Sequence, residues 1–561
     1  MANEARFDPL APKLPASRAR RWFRRIVAVG LLLFLGAVAS FLVWRHYALS
    51  ARDAEIAKLR AAGDPVWFAD LRPNPLDPAE DGTPLLRQAF AAMKPLPDEL
   101  QDEFNALTAP EGDEPMTPEE QARFLEEHGD TLVQPLGIKL RDWLPKEEPK
   151  PRVPRLPFAD REKQLVEKLR PHVEANREAF DLLRQALAKP KIRFELNYDD
   201  PQPLLMEFPD DDLTFRLDEL LHGRFRCELH AGDAAAATAT LIESLALTRR
   251  HYAASRDRLM GLLYATSRIK FTLELLKELL ERGTFDSTRQ AELSLALDQI
   301  ESEIRLGPAI RGEKAMALTA IENFLDQGGF GRRPVKNSIL RTLVEPVVWL
   351  NQANYLRAMS AQATYADRYD DEARAAIEEE YERETAPLES PDVGRYTVLT
   401  RMAQAVLQPT TAQFKGAVVA ARDECSAACA ALAVDAFRRE RGRLPKSLDE
   451  IGRGAMPQIP RDVVRGESLV YLVDRNGFAI CPAKEADREG KRLAKLVEER
   501  NEVAGAGDRA RVKARDGNDD EDGDVPENEE APEVDVFLPS AFRVVYPVAS
   551  QANAADGKAI P

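Results

Sequence analysis

Four cysteines in 561 residues (Cys227, Cys425, Cys429 and Cys481) are too few to hold so long a chain as a disulfide scaffold, although an oxidising compartment still permits one or two bridges. A basic surplus is also missing. Acids outnumber bases 94 to 78, a net charge of −16, which excludes nucleic acid as an expected partner. No G-x-S-x-G, H-E-x-x-H, P-loop or G-x-G-x-x-G occurs anywhere, so no recognisable catalytic or nucleotide-binding signature points to an enzyme.

What is present begins with Ile26 to Trp44, IVAVGLLLFLGAVASFLVW, an uncharged run whose single hydroxyl is Ser40. At ~1.5 Å per residue it matches the ~30 Å hydrocarbon core of a bilayer, and it has no polar face. The basic residues gather before it (Arg6, Lys13, Arg18, Arg20, Arg21, Arg24, Arg25), while charges of both signs follow it. The positive-inside bias therefore predicts a single-pass inner-membrane protein with a cytoplasmic N-terminus and a periplasmic bulk. Trp22, Trp44 and Tyr47 flank the run as an aromatic belt would. Ala37-Val38-Ala39 has the A-x-A pattern of a signal-peptide cleavage site. Cutting there would leave apolar Phe41 to Trp44 on the mature end, and the segment before the run is long, so an uncleaved anchor is the better reading.

Along the chain, residues 1–25 read as a basic cytoplasmic tail, 26–44 as the transmembrane helix and 45–157 as a charged helix followed by a Pro-rich linker region. Thr117-Pro118-Glu119-Glu120 opens a predicted helix Pro118 to His128, and Pro145 to Pro157 is a stiff linker. Residues 158–411 read as an irregular helical array: Asp160–Leu169 and His172–Leu187 split at Pro171, then Leu213–Ala231, Ala234–His251, Arg256–Glu281, Ser287–Arg305 and Ala309–Asp326, with more helix from Val335 to Arg383 and from Tyr396 to Leu407. Ile192 to Leu196 alternates and suits a short strand or an extended connector. The two helices joined by Ala231-Gly232-Asp233 form an antiparallel hairpin, with no second copy at a fixed period.

Residues 412–547 read as a small α/β module. Ala417 to Arg441 is a helix, Ser468–Val473 and Phe478–Cys481 are strands around the Asn476-Gly477 turn, and Ser540–Pro547 is a final strand. An acidic insertion spans 505–535, Ala483–Val503 is a charged helix, and 548–561 is a tail. The fold class is thus mainly α, with a short antiparallel sheet at the C-terminal end. From Ala431 to Ile480, the residues Phe437, Arg438, Gly442, Pro445, Leu448, Pro457, Pro460, Asp462, Tyr471, Gly477 and Phe478 resemble the C-terminal module of type II secretion pseudopilins, in which a helix leads into a small antiparallel sheet. The whole chain is similar to uncharacterised bacterial envelope proteins with an N-terminal anchor, a helical middle and such an end. The resemblance implies architecture and location, and no activity.

Candidate chemistry is sparse. Asn518, Asp520, Asp522, Asp524 and Glu529 overlay a calcium loop, with Gly523 at its sixth position. Asn at position 1, Pro526 at position 9 and the lack of flanking helices fit a solvated acidic linker better. The pseudopilin resemblance supports calcium. His222, Cys227 and His230 have metal-like spacing but would not share one helix face, and no fourth ligand is nearby. Cys481 could bridge Cys425 or Cys429 if the sheet packs on that helix; otherwise these are small buried thiols. His128, His172 and His251 sit among charges and read as exposed, and Asp199-Asp200 and Asp210 to Asp212 read as solvated loops. The expected function is a scaffold or interaction role toward another envelope protein. The alternatives are an accessory of a secretion or pilus-like apparatus, and a hydrolase with its site between helices.

Overall fold

A computed structural model of the chain describes, in the main, residues 16–97, 158–282, 287–323, 338–368, 411–451, 466–474, 477–483 and 542–545, with isolated positions such as Leu100, Gln101 and Asp326. The calcium-loop residues, His128, the helices expected at 118–128, 396–407 and 483–503, and the 145–157 linker lie outside the described residues.

Helix α1 runs unbroken from Ala16 to Ala62. No acid enters it before Asp53, and its most apolar part has a mean hydropathy of 2.8 and no buried residue. By length and composition it could cross a membrane. It stops at Gly63, whose φ of +75° a side chain would resist. Gly63 N–H then bonds Arg60 C=O and Asp64 N–H bonds Leu59 C=O, which is the Schellman closure.

Ten further helices follow among the described residues: α2 Thr83–Ala92, α3 Phe158–Ala175, α4 Arg177–Leu187, α5 Pro209–His230, α6 Ala234–Ser255, α7 Leu259–Glu281, α8 Ser287–Glu303, α9 Leu306–Glu322, α10 Ser338–Tyr365 and α11 Thr411–Arg441. Ile192 to Leu196 is an extended connector, bridged at Lys191 to Asp81. The α3–α4 break falls at Asn176, not at Pro171, which rides inside α3. Proline removes one helix bond, whereas Asn176 offers a better alternative to continuing. Its buried amide accepts from Lys94 N–H at 2.8 Å and donates to the carbonyls of Lys94 and His172, each at 2.9 Å.

Two apolar cores result. In one, Leu86 and Phe90 of α2 meet Leu165 and Leu169 of α3, Phe180 and Leu183 of α4, and Leu217 and Leu221 of α5. In the other, α5 to α9 share a single core with α11 and the sheet. The sheet is an antiparallel meander of β1 Val470–Asp474, β2 Gly477–Cys481 and β3 Phe542–Val545. Tyr471 faces Ile480, and Phe478 faces Val544. The central strand β2 is buried throughout, and β2 and β3 pack on α11. A small third cluster (Ile56, Leu59, Val66, Leu318, Leu356) docks the outgoing half of α1 on α9 and α10.

Candidate functional site

The interior between α5, α6 and α7 is not uniformly apolar. Asp211, Asp218 and His222 lie on one stripe of α5; Ser244, Thr248, His251 and Ser255 lie on one stripe of α6; Arg268 and Thr272 are one turn apart on α7. All are buried. Spacings of three, four and seven put polar residues on inward faces just as they would apolar ones.

Two clusters form there. At one end, Asp211 accepts from His251 Nε2 at 2.9 Å and from both terminal nitrogens of Arg258, at 2.9 and 3.1 Å. Burial alone would raise the Asp211 carboxyl, but the His251 bond and the Arg258 charge outweigh it and hold it below the ordinary value. Burial pushes the His251 ring down, toward the neutral form. Nε2 then carries the proton that bonds Asp211. The Arg258 guanidinium also stacks on Phe208, 4.1 Å from the ring centroid.

At the other end, Ser244 Oγ donates to Asp218 Oδ1 at 2.7 Å and lies 3.4 Å from His222 Nε2. Asp218 Oδ2 is also 3.4 Å from that same nitrogen. A nucleophile relay needs the serine and the aspartate on opposite nitrogens of the ring. Here both crowd Nε2, and Ser244 is 1% exposed. The arrangement locks helices together and cannot activate the serine. Between the clusters, Arg268 lies over Phe215 at 5.5 Å, buried, its three guanidinium nitrogens without hydrogen-bond partners among the described residues. The Glu219 carboxyl beside it is pushed up to about 7, by burial first and by Asp218 second, although Gln101 donates to it at 2.7 Å.

This polar core fixes the α6–α7 turn, and that turn forms one wall of an open cleft of about 720 Å³. Arg60 in the last turn of α1, and Asp64 and Trp67 just past its end, face Arg256 and Asp257 of the turn and Arg311 of α9 across it. Its walls are built from specific contacts. Arg258 ties the turn to α5, and Glu313 Oε1 accepts the N–H of Leu259 at 3.0 Å. Gly312 lets α9 pass so close that a Cβ there would lie 1.8 Å from the Asp257 carbonyl oxygen. Lys314, its side chain 1% exposed, pairs with Asp64 at 2.9 Å. Asp70 Oδ2 accepts from the N–H groups of Val66 and Trp67, each at 3.0 Å, and Thr319 Oγ1 accepts from Phe68 N–H at 2.8 Å. Burial raises the Asp257 carboxyl despite Arg256 and Arg311. The cleft thus presents arginines, aspartates and one tryptophan face on a fixed frame.

The structure corrects the sequence expectations for His251, His172 and the acidic run at 210–212. His251 is not exposed; it is 1% exposed and bound to Asp211. Asp210 to Asp212 are not loop but the first turn of α5. Proline at the first helical position followed by three acids is a helix-start signal, since the N-terminal amides favour negative charge. His222 and Cys227 are buried on different faces of α5, and His230 is exposed at its end, so the structure does not gather them. His172 is partly buried on α3. Cys227, Cys425 and Cys429 are free thiols, the last two on α11, and Cys481 closes β2. Cys429 Sγ points to the Ser294 carbonyl at 3.6 Å. The cleft residues Trp67, Asp257 and Arg311 had no sequence signal, because three distant segments supply them. No family model, curated protein or solved structure matches the chain, so the site rests on its own residues.

Proposed function

We propose that the chain is a single-pass membrane protein, N-terminus cytoplasmic, whose extracytoplasmic helical body is a scaffold that binds a segment of another envelope protein in the cleft beside Trp67. The observation that carries this reading is the cleft itself, open to solvent and placed where the anchor helix ends. Gly63 lies nineteen positions after Trp44, with helix between them, which sets the cleft about 28 Å above the apolar run at the usual helical rise. Its mix of arginines and aspartates around one aromatic suits an extended polypeptide of mixed charge. A photo-reactive residue replacing Trp67 is expected to cross-link one partner in intact cells, and Arg311→Glu is expected to abolish that adduct. An adduct unaffected by Arg311→Glu, or none at all, refutes the reading.

A second reading, an accessory of a secretion or pilus-like apparatus, draws on one feature. The long helix α11 leads into a three-stranded antiparallel sheet packed on it, as the pseudopilin resemblance implies. Substituting Val473, 44% exposed on β1, by Asp should impair secretion or fibre display under this reading and leave them unchanged under the first.

A further inference from the structure

Helix α10 runs beside the outgoing half of α1 in the same direction. Arg45 meets Glu345 at 3.3 Å, Arg45 and Arg52 both lie 5.5 Å from the Trp349 ring centroid, and Glu55 meets Arg357 at 3.5 Å. Residue numbers rise together along both helices, and Leu356 joins Ile56 and Leu59 in one apolar cluster. Arg45 is the first residue after the apolar run, so its pairing places Glu345 at the same level. The seven residues of α10 before Glu345 then point back alongside Val38 to Trp44.

That beginning of α10 is apolar and open. Ile339 is 72% exposed, and Leu340 and Leu343 are each 51% exposed. Leu343, Leu340 and Ile339 precede Glu345 by two, five and six residues. At the helical rise they sit about 3, 7 and 9 Å beyond it toward the apolar run. That depth matches the ~5–10 Å to which interfacial helices bury their apolar side. Arg341, the one charge among them, is held by Asp326 and by Glu345, the latter at 3.3 Å. Its aliphatic stem can lie along lipid while the guanidinium stays at headgroup level.

We propose that the first two turns of α10 are a second membrane contact, with Ile339, Leu340 and Leu343 seated in the outer leaflet beside the anchor helix. This rests on Ile26–Trp44 spanning the bilayer. The body is then held to the membrane at two points, and it cannot swivel freely about α1. The occupant of this face is lipid because the face continues the exposed apolar surface of α1 below the same boundary residue.

The test uses the full chain in proteoliposomes of phosphatidylethanolamine and phosphatidylglycerol. Leu340→Cys, Leu42→Cys and Asp449→Cys are each labelled with a nitrobenzoxadiazole probe, after the unsubstituted protein is confirmed not to react. Asp449 is exposed on the body, on a turn that packs against α11. Lipids carrying a nitroxide on the acyl chain should quench the Leu340 and Leu42 probes at least twofold and leave the Asp449 probe unchanged, while aqueous iodide should show the reverse. If the Leu42 probe responds to lipid and the Leu340 probe responds to iodide, the second contact is wrong and the anchor stands. If neither quencher reaches the Leu340 probe, protein covers that face, a second copy of the chain included, and the proposal also fails. If Leu42 itself is reached by iodide and not by lipid, the spanning reading falls first.

Discussion

Replacing Asp211 by Asn removes one negative charge from one end of the polar core and alters little else. The side chains of Asp211 and Arg258 are 3% and 4% exposed, and the pair is bidentate. An uncompensated guanidinium left at such a site costs about 3–5 kcal/mol, a large fraction of the ~5–15 kcal/mol that holds a typical domain. Arg258→Met alone leaves the Asp211 carboxylate with His251 only, and should cost a similar amount. The double variant Asp211→Asn, Arg258→Met removes both charges and keeps the volumes. It should lose far less than the sum of the two, with a coupling of about 2 kcal/mol or more. Denaturant unfolding of the detergent-solubilised chain, followed by tryptophan fluorescence, measures the global terms. Amide exchange at Leu259, whose N–H is held by Glu313, reads whether the turn opens locally. The reasoning fails if Asp211→Asn costs under about 1 kcal/mol, or if the double variant costs as much as the two singles together.

Further outcomes follow from the same contacts. With its folded value near 7 against 4.5 when free, Glu219 binds more protons folded than unfolded, so its contribution to stability falls as pH rises across that window. Glu219→Gln should be neutral near pH 4.5 and stabilising by about 1–2 kcal/mol at pH 8, once the shift is discounted for partial exposure; unfolding curves at both pH values check it. His251 has the opposite sign: burial lowers its folded value, the unfolded chain binds the extra proton, and stability should fall as pH drops below about 6.5. A pH series of melting temperatures should lose that acid-side slope in His251→Gln. Gly312→Ala places a methyl group against the Asp257 carbonyl and should cost about 1–3 kcal/mol while weakening Trp67 cross-linking. Leu356→Ala should cost about 2–5 kcal/mol and expose Gly63–Val66 to limited proteolysis, by emptying the cluster that docks α1.

Much of this protein's outline was determined by sequence alone, because those features are local. The uncharged run at 26–44, the glycine after Ala62 and the hairpin at Gly232 each act within a few residues. The helices, their order and the small sheet follow from such signals. Tertiary structure decided the rest. It turned His251 and Asp211 inward, because a buried charge is tolerable only when a partner such as Arg258 arrives from elsewhere, and no local pattern reports that arrival. It moved the α3–α4 break to Asn176, because the competing partner, Lys94, lies 82 positions away. It also brought the end of α1, the α6–α7 turn and α9 together around one cleft, and set α10 beside the anchor. Side-chain spacing shows which face of a helix is buried. Only the packed chain shows what that face meets, because the energies that choose it act across space and not along the sequence.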